Sequence, residues 1–424
     1  MISSKDIKSI VDRVIAGIGS DSDRRLLQKA VLAGEVVIEG ERNVSSLGHM
    51  TGNIIFTGDI IIEQKYSRAS LDKLHQEIFP VLPGVLPPFP HTVFVGRDED
   101  VSDVKRKFGV MCGKPEVSQL IVYGLPGIGK TTLVSVLSRD PDIARAYPDG
   151  ILWTSLDQKP SIITIMAEWG KFLGRHDLLR HTSKNQVAEQ ILSLLHNKRM
   201  LLIVDDVWEE EHGNFFRRAQ AQGCGLIFTT RHEKIAENLS EIDDEIYHLP
   251  LFTEEASIKL MQILAPKVVA QYAGKCRELV NELEYLPLAI HVAAKLLRRR
   301  LKKGWGIENL IEEIKEGSRL LKEKAPINRT EEDGRPTVQA LLKKSTDMLS
   351  PEMRRHFANL GAFLEKPATF DERAMKFVLE VDDAEPVIEE LTSHGLLELT
   401  ENNRFYLHAL LSSHARLLRE TEFS

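Results

Sequence analysis

The run Gly124-Leu-Pro-Gly127-Ile128-Gly129-Lys130-Thr131-Thr132 constrains this chain more than any other stretch. It fits GxxxxGK[ST], with apolar Leu120-Ile-Val-Tyr123 before it and a helical pattern after it. A phosphate cradle of this kind needs a buried strand to deliver the loop and a helix N-terminus to receive the anion. The motif therefore demands an α/β core. Backbone N–H groups of Gly124, Gly127, Ile128 and Gly129 are expected to face phosphate oxygens. Lys130 should reach the β- and γ-phosphates, and the Thr131 hydroxyl should bind Mg²⁺, with Thr132 beside it.

Three more apolar runs alternate with helical patterns: Ile151-Leu-Trp153, Leu201-Leu-Ile-Val204 and Gly225-Leu-Ile-Phe-Thr229. Continuous apolar strands separated by helices predict a parallel sheet covered on both faces. The Leu201 run ends in Asp205-Asp206. A carboxylate at a strand's carboxyl end suits Mg²⁺ binding, so Asp205 is the metal candidate and Asp206 is expected to orient a water. The fourth run ends in Thr229-Thr230-Arg231, which puts an arginine where it can reach a γ-phosphate. No glutamate follows the two aspartates, so hydrolysis is expected to be slow. After about Pro250 the pattern is nearly all helical. Leu396–Leu399 and Phe405–Leu407 then predict a hairpin, and His408–Glu420 a last helix. The cluster Lys295, Arg298, Arg299, Arg300, Lys302 and Lys303 is expected to be a solvated helix end, where cations suit the dipole. A DNA-binding surface is the other reading of those residues.

The first 33 residues predict two short helices, started by Ser3 with Asp6 and Ser20 with Asp23, which should pack together. Gly34, Gly40, Gly52 and Gly58 then keep a six-residue register, with Ser46 in the missing place. Thr51–Phe56 and Thr57–Ile62 are near copies, and their Gly-Asn and Gly-Asp steps predict tight turns between short strands. A small sheet is the expectation, a short solenoid the alternative. A helical stretch, Leu71–Ile78, leads to five prolines between Pro80 and Pro90, which predict a semi-stiff linker. The net charge of −7 argues against broad nucleic-acid binding. No stretch is apolar enough for a membrane span. The N-terminus lacks a signal-peptide core, and the three cysteines have no metal or redox spacing, which predicts a cytoplasmic protein.

Together these motifs resemble the NB-ARC domain of STAND-class signalling ATPases, over about residues 91–420. Phe94-Val95-Gly-Arg97-Asp-Glu99 is similar to the family's hhGRExE motif, which implies that Val95 and Arg97 line the adenine site. Pro148–Thr154 resembles its strand-two signature and Leu201–Trp208 its LLVLDDVW. Thr229-Thr230-Arg231 resembles its arginine sensor. Leu286-Pro287-Leu-Ala289 resembles GLPLA, whose proline faces adenine, with Tyr285 replacing the glycine, a change expected to alter packing only. Leu407-His408-Ala409 stands where MHD is expected, which implies contact between His408 and the β-phosphate of ADP. Ala409 replaces the aspartate.

The resemblance implies a multidomain α/β plus α architecture. Residues 1–65, a helical piece followed by Gly-spaced β units, separately resemble the effector-associated modules of bacterial STAND proteins. Residues 66–92 would be a helix and linker, and 93–248 a P-loop NTPase domain with a parallel sheet. Residues 249–335 would be a helical domain and 336–424 a winged-helix domain. It further implies a switch that binds ATP or ADP with Mg²⁺, forms a homo-oligomer on activation and passes its signal to an effector protein through residues 1–65, in bacterial defence against phage. A transcription regulator using the winged helix on DNA is the alternative. No repeat array follows residue 420, so the sensor is expected either to be missing or to be a separate trigger protein.

Overall fold

Two helices begin the chain, α1 (Ser4–Ile15) and α2 (Asp21–Leu32). The computed structural model describes residues 4–32, 36–39, 51–57, 61–67, 83–87, 94–110, 117–156, 160–178, 183–302, 308–309, 312, 336–363, 369–400 and 404–422. Ser20 starts α2 through a reciprocal cap. The Ser20 N–H donates to Asp23 Oδ2 at 2.9 Å, and the Asp23 N–H donates to Ser20 Oγ at 3.1 Å. Asp23 also holds Arg13 of α1 at 2.5 Å, and Val11, Val14, Leu27 and Ala30 are buried. The cap expected at Ser3 lies outside the described residues, as does the stretch Leu71–Ile78.

The strands β1 (Val36–Glu39), β2 (Thr51–Thr57) and β3 (Ile61–Ser67) form an antiparallel sheet in that order. The solenoid alternative is overturned, and one expected turn with it. Gly52-Asn53 lies inside β2, opposite Tyr66 and Lys65, and only Gly58-Asp59 falls between two strands. Antiparallel pairing needs one reversal per strand, and β2 is longer than one six-residue unit.

The proline-rich stretch also departs from expectation. Its Gly84–Val85 forms β4, a parallel edge strand of the central sheet. Proline is excluded from central strands but tolerated beside an edge, where only one side is bonded. The Pro83 carbonyl accepts from the Ile151 N–H at 3.0 Å, and the Pro87 carbonyl accepts from Arg139 Nη2 at 2.6 Å. Gly84 has φ +142°, and a Cβ there would lie 1.8 Å from the Ile151 carbonyl oxygen.

The nucleotide-binding unit continues with α3 (Asp98–Lys107), β5 (Gln119–Tyr123), α4 (Lys130–Leu137), α5 (Pro141–Ala146) and β6 (Gly150–Ser155). Then come α6 (Ile162–Phe172), α7 (Lys184–Leu195), β7 (Met200–Asp205), α8 (Glu210–Ala219), β8 (Gly225–Thr230), α9 (Glu233–Leu239) and β9 (Ile246–His248). The six strands run parallel in the order β4-β6-β7-β8-β5-β9. Alternate residues serve opposite faces. Leu120, Val122, Leu201, Ile203 and Ile227 join one core, while Ile121, Leu202, Val204, Leu226 and Phe228 join the other. Because β8 separates β5 from β7, the loop after β5 looks across Thr229 towards Asp205.

Helices dominate the C-terminal part of the chain: α10 (Glu254–Leu264), α11 (Pro266–Glu282), α12 (Pro287–Lys302), α13 (Pro336–Asp347), α14 (Pro351–Leu360), α15 (Glu372–Leu379) and α16 (Glu385–Ser393). The strands β10 (Glu398–Leu399) and β11 (Phe405–Tyr406) form the expected hairpin, and α17 (Ala409–Glu422) comes after it. The first core continues without interruption from the sheet through Leu279, Ala289 and Leu297 to Leu391, Leu407 and Leu418.

Two residues of the basic cluster, Lys295 and Arg299, are not at a solvated helix end as expected, whereas Arg298 is exposed. Arg299 donates to Glu390 Oε1 at 2.5 Å and to Ser393 Oγ at 2.6 Å, and lies 3.1 Å from His394 Nδ1. Lys295 Nζ donates to the Thr392 carbonyl at 3.4 Å. These cations face the carbonyl-rich end of α16. At the other end of the chain, α2 lies on the P-loop unit. Arg25 meets Asp142 at 2.8 Å, Gln28 donates to the Arg139 carbonyl at 3.0 Å, and Lys29 meets Asp98 at 2.9 Å. Among the described residues no helix is long and apolar enough to cross a membrane.

Candidate functional site

The loop from Gly124 to Gly129 connects β5 to α4, whose first residue is Lys130. Lys130 is buried, and its Nζ donates to the Gly124 carbonyl at 2.7 Å and the Leu125 carbonyl at 3.1 Å. Burial lowers its pKa to about 8, against the pull of the Asp206 and Asp205 carboxylates. Thr131 Oγ1 donates to Asp205 Oδ2 at 2.9 Å, and Thr229 Oγ1 donates to Asp205 Oδ1 at 2.5 Å. Asp205 is fully buried, which raises its pKa to about 6 despite those two hydroxyl bonds. A buried carboxylate beside a hydroxyl at a loop of amides is a donor set that fits Mg²⁺ held jointly with phosphates and waters. Among the described residues no cluster of three or more His, Cys, Asp or Glu side chains offers a phosphate-independent metal site. Thr132 comes next on α4, half-buried.

The P-loop touches two distant segments. A Cβ on Gly127 would lie 3.0 Å from Leu288 Cβ and 3.4 Å from Leu410 Cδ1. The Leu288 N–H, one residue into α12 from Pro287, donates to the Gly127 carbonyl at 3.3 Å. The structure therefore brings the Pro287 segment and the segment beginning at His408 to the same loop. His408 is half-buried, and its carbonyl accepts from the Ser412 N–H at 2.8 Å as α17 starts.

Three expected roles look different in place. Arg97 does not project into open space. It donates to the Pro250 carbonyl at 2.7 Å, the Ile128 carbonyl at 3.0 Å and Asp100 at 3.2 Å, over the Phe252 ring. It is a strut that fixes the P-loop backbone to the start of the helical region, beside buried Val95. Asp206 and Arg231 are paired with each other. Arg231 Nη2 lies 3.1 and 3.0 Å from the two Asp206 oxygens. Trp208 Nε1 donates to the same carboxylate at 3.1 Å, and the Arg231 guanidinium lies 4.1 Å from the Trp208 ring centroid. In this arrangement Asp206 holds an arginine where a water was expected.

Comparison with known proteins fits this geometry, with residues 97–270 matching the NB-ARC domain. The chain carries an NB-ARC domain. That domain implies nucleotide binding by the P-loop unit. A probable disease resistance protein of Arabidopsis thaliana is 26% identical over 315 residues, 70% of this chain and 36% of that protein. Apoptotic protease-activating factor 1 of Homo sapiens is 21% identical over 391 residues, 88% and 29% of the two chains. The regulatory protein AfsR of Streptomyces coelicolor is 25% identical over 336 residues, 77% and 32%. The chain thus spans about a third of the length of these curated relatives. Among solved structures, a STAND protein with a tetratricopeptide repeat sensor from Pyrococcus horikoshii shares the fold. Its TM-score is 0.52 at 17% identity, covering 78% of this chain and 43% of that one.

One departure from the NB-ARC pattern has a backbone consequence that the sequence hid. Glu284 and Tyr285 have φ +52° and +56°. The position occupied by Tyr285 is left-handed, where glycine is unstrained and tyrosine is not. The substitution therefore changes backbone strain as well as packing. Sequence reasoning also assigned no role to Thr229 or Trp208. Thr229 was visible as a hydroxyl at the carboxyl end of a buried strand, between the two strands that carry the site. Trp208 was visible as an aromatic ring two residues beyond Asp206.

Proposed function

We propose that this chain is a nucleotide switch that distinguishes ATP from ADP at the junction of its P-loop, helical and C-terminal units. The observation that carries the reading is the approach of two other units to one loop: the Leu288 N–H bonds the Gly127 carbonyl at 3.3 Å, and Leu410 lies where a Cβ on Gly127 would meet it. In this reading the loop amides, Lys130 and Thr132 hold the phosphates, and Thr131 with Asp205 holds Mg²⁺. Pro287 and Val95 border the base, on a loop fixed by Arg97, and His408 closes over the diphosphate from the C-terminal side. The domain division proposed is 1–65, 66–82, 83–248, 249–335 and 336–424, the boundary before the P-loop unit moved to include β4. The C-terminal segment serves as a winged-helix closure. Activation opens the closure and allows a homo-oligomer to form. Residues 1–65, docked on α5 and the turn before it through Arg25 and Gln28, carry the output to an effector protein, in bacterial defence. A separate trigger protein supplies the stimulus. The reading as a DNA-binding regulator is disfavoured by Arg299 and Lys295, which face α16.

The test is mass in solution with ADP and with a non-hydrolysable ATP analogue, for the wild-type chain and for Arg299→Glu. ADP should leave a monomer in both. The analogue should assemble the variant. A monomer in all four mixtures, or unaided turnover of several ATP per second, would refute the switch.

A further inference from the structure

We propose that Asp206 and Trp208 are positioning residues that hold Arg231 back, so that the site disfavours a third phosphate until this latch releases. The inference deepens the switch reading and rests on it. The latch is built from three contacts that converge on one guanidinium. Both Asp206 oxygens accept from Arg231: Nη2 donates to Oδ2 at 3.0 Å and Nε to Oδ1 at 3.3 Å, the two-nitrogen fork that suits arginine. The Trp208 face covers the same group at 4.1 Å. Trp208 Nε1 then fixes Asp206 from a second direction at 3.1 Å. Both charged side chains are largely buried, at 16% and 14% exposure, so the pair is weakly screened by water.

The latch is also wired to the metal site. Thr229 Oγ1 donates to Asp205 and accepts from the Asp206 N–H at 2.9 Å. Asp206 sits at φ +55°, a strained conformation that this bond helps to hold. One hydroxyl thus joins the candidate Mg²⁺ ligand to the residue that restrains Arg231. Arg231 cannot serve Asp206 and a γ-phosphate with the same N–H groups. Asp206 occupies the Nε–Nη2 edge, the edge with two nitrogens for a bidentate hold. Meeting a triphosphate with that edge costs Arg231 the carboxylate and its place against Trp208, whereas a diphosphate leaves the latch closed.

The experiment compares affinities for ADP and a non-hydrolysable ATP analogue in wild type, Asp206→Asn and Trp208→Leu, and follows tryptophan emission. Asp206→Asn should improve the analogue-to-ADP affinity ratio about tenfold. Trp208→Leu keeps every charge and should move the ratio the same way by a smaller factor, which separates a latch from a simple loss of negative charge. The wild-type minus Trp208→Leu emission should change with the analogue and not with ADP, and Arg231→Ala should abolish that response. Wild-type binding with unchanged ratios in both variants, or equal emission responses to ADP and analogue, overturns the latch alone. Failure of the wild type to bind either nucleotide overturns the switch reading and the latch together.

Discussion

Lys130 and Asp205 are both held against their natural ionisation, and nucleotide is expected to release that stress. Burial lowers the Lys130 pKa from 10.5 to about 8. Between these values the folded chain binds fewer protons than the unfolded one, so nucleotide-free stability should rise with pH across that window. Phosphate binding should restore the charge, with proton uptake above pH 8 seen by calorimetry in buffers of different ionisation enthalpy. Lys130→Ala should lose nucleotide binding, and unchanged ATP affinity in that variant would refute the assignment. Asp205 behaves in the opposite sense. Its pKa is raised from 3.8 to about 6, so the folded chain binds the extra proton and stability should fall as pH rises through that interval. In the proposed metal role Mg²⁺ displaces this proton, so Mg²⁺-dependent nucleotide affinity should weaken below about pH 6. Tyr285 offers a test of strain. Tyr285→Val should cost about 1–2 kcal/mol more than Tyr285→Gly in thermal unfolding, because a β-branched residue tolerates φ +56° poorly. Equal stabilities would remove the strain argument.

At the scale of elements, the edge strand β4 makes the sharpest prediction. Gly84→Ala places a Cβ 1.8 Å from the Ile151 carbonyl oxygen, so β4 should detach. Hydrogen exchange at the Ile151 N–H should accelerate at least tenfold, while nucleotide affinity stays within about twofold, because β4 and the P-loop strand lie in different parts of the sheet. Unchanged exchange would mean that the strand tolerates the side chain. The sequence revealed the four central strands because buried parallel strands are continuous apolar runs. It did not reveal β4 or β9, whose two and three residues are too few to show a pattern. The cap at Ser20 was legible because both partners are local. The surroundings of Arg299 were not, because its partner Glu390 is 91 residues away and composition does not say what a cation faces. The Arg231–Asp206 pair was missed for a related reason. Each residue had a plausible ligand to serve, and only geometry shows that they serve each other.

At the scale of the whole molecule, contacts far from the nucleotide site also join the sheet to the C-terminal helices. Its first core runs from the sheet to α17, and Arg299 fastens α12 to α16. Turning a 1:99 mixture of open and closed forms into 99:1 takes about 5.5 kcal/mol of differential binding. A charge-assisted bond from Arg231 to a γ-phosphate contributes about 1.5–3 kcal/mol. Arg231 must first leave Asp206, so its net contribution is smaller still. Exchange of ADP for ATP should therefore leave most wild-type molecules closed, and weakening the closure should let ATP act. Arg299→Glu is the variant that does this. It replaces an attraction to Glu390 with a repulsion at a half-buried site, far from the phosphates. Arg299→Glu should assemble with a non-hydrolysable ATP analogue under conditions where the wild-type chain stays mostly monomeric, and should remain monomeric with ADP. Adding Lys130→Ala to the same chain should abolish assembly, because the opened molecule still needs the phosphates to choose its state. Equal assembly of Arg299→Glu with ADP and with the analogue would mean that the Arg299–Glu390 junction alone holds the molecule closed and that the P-loop does not gate it.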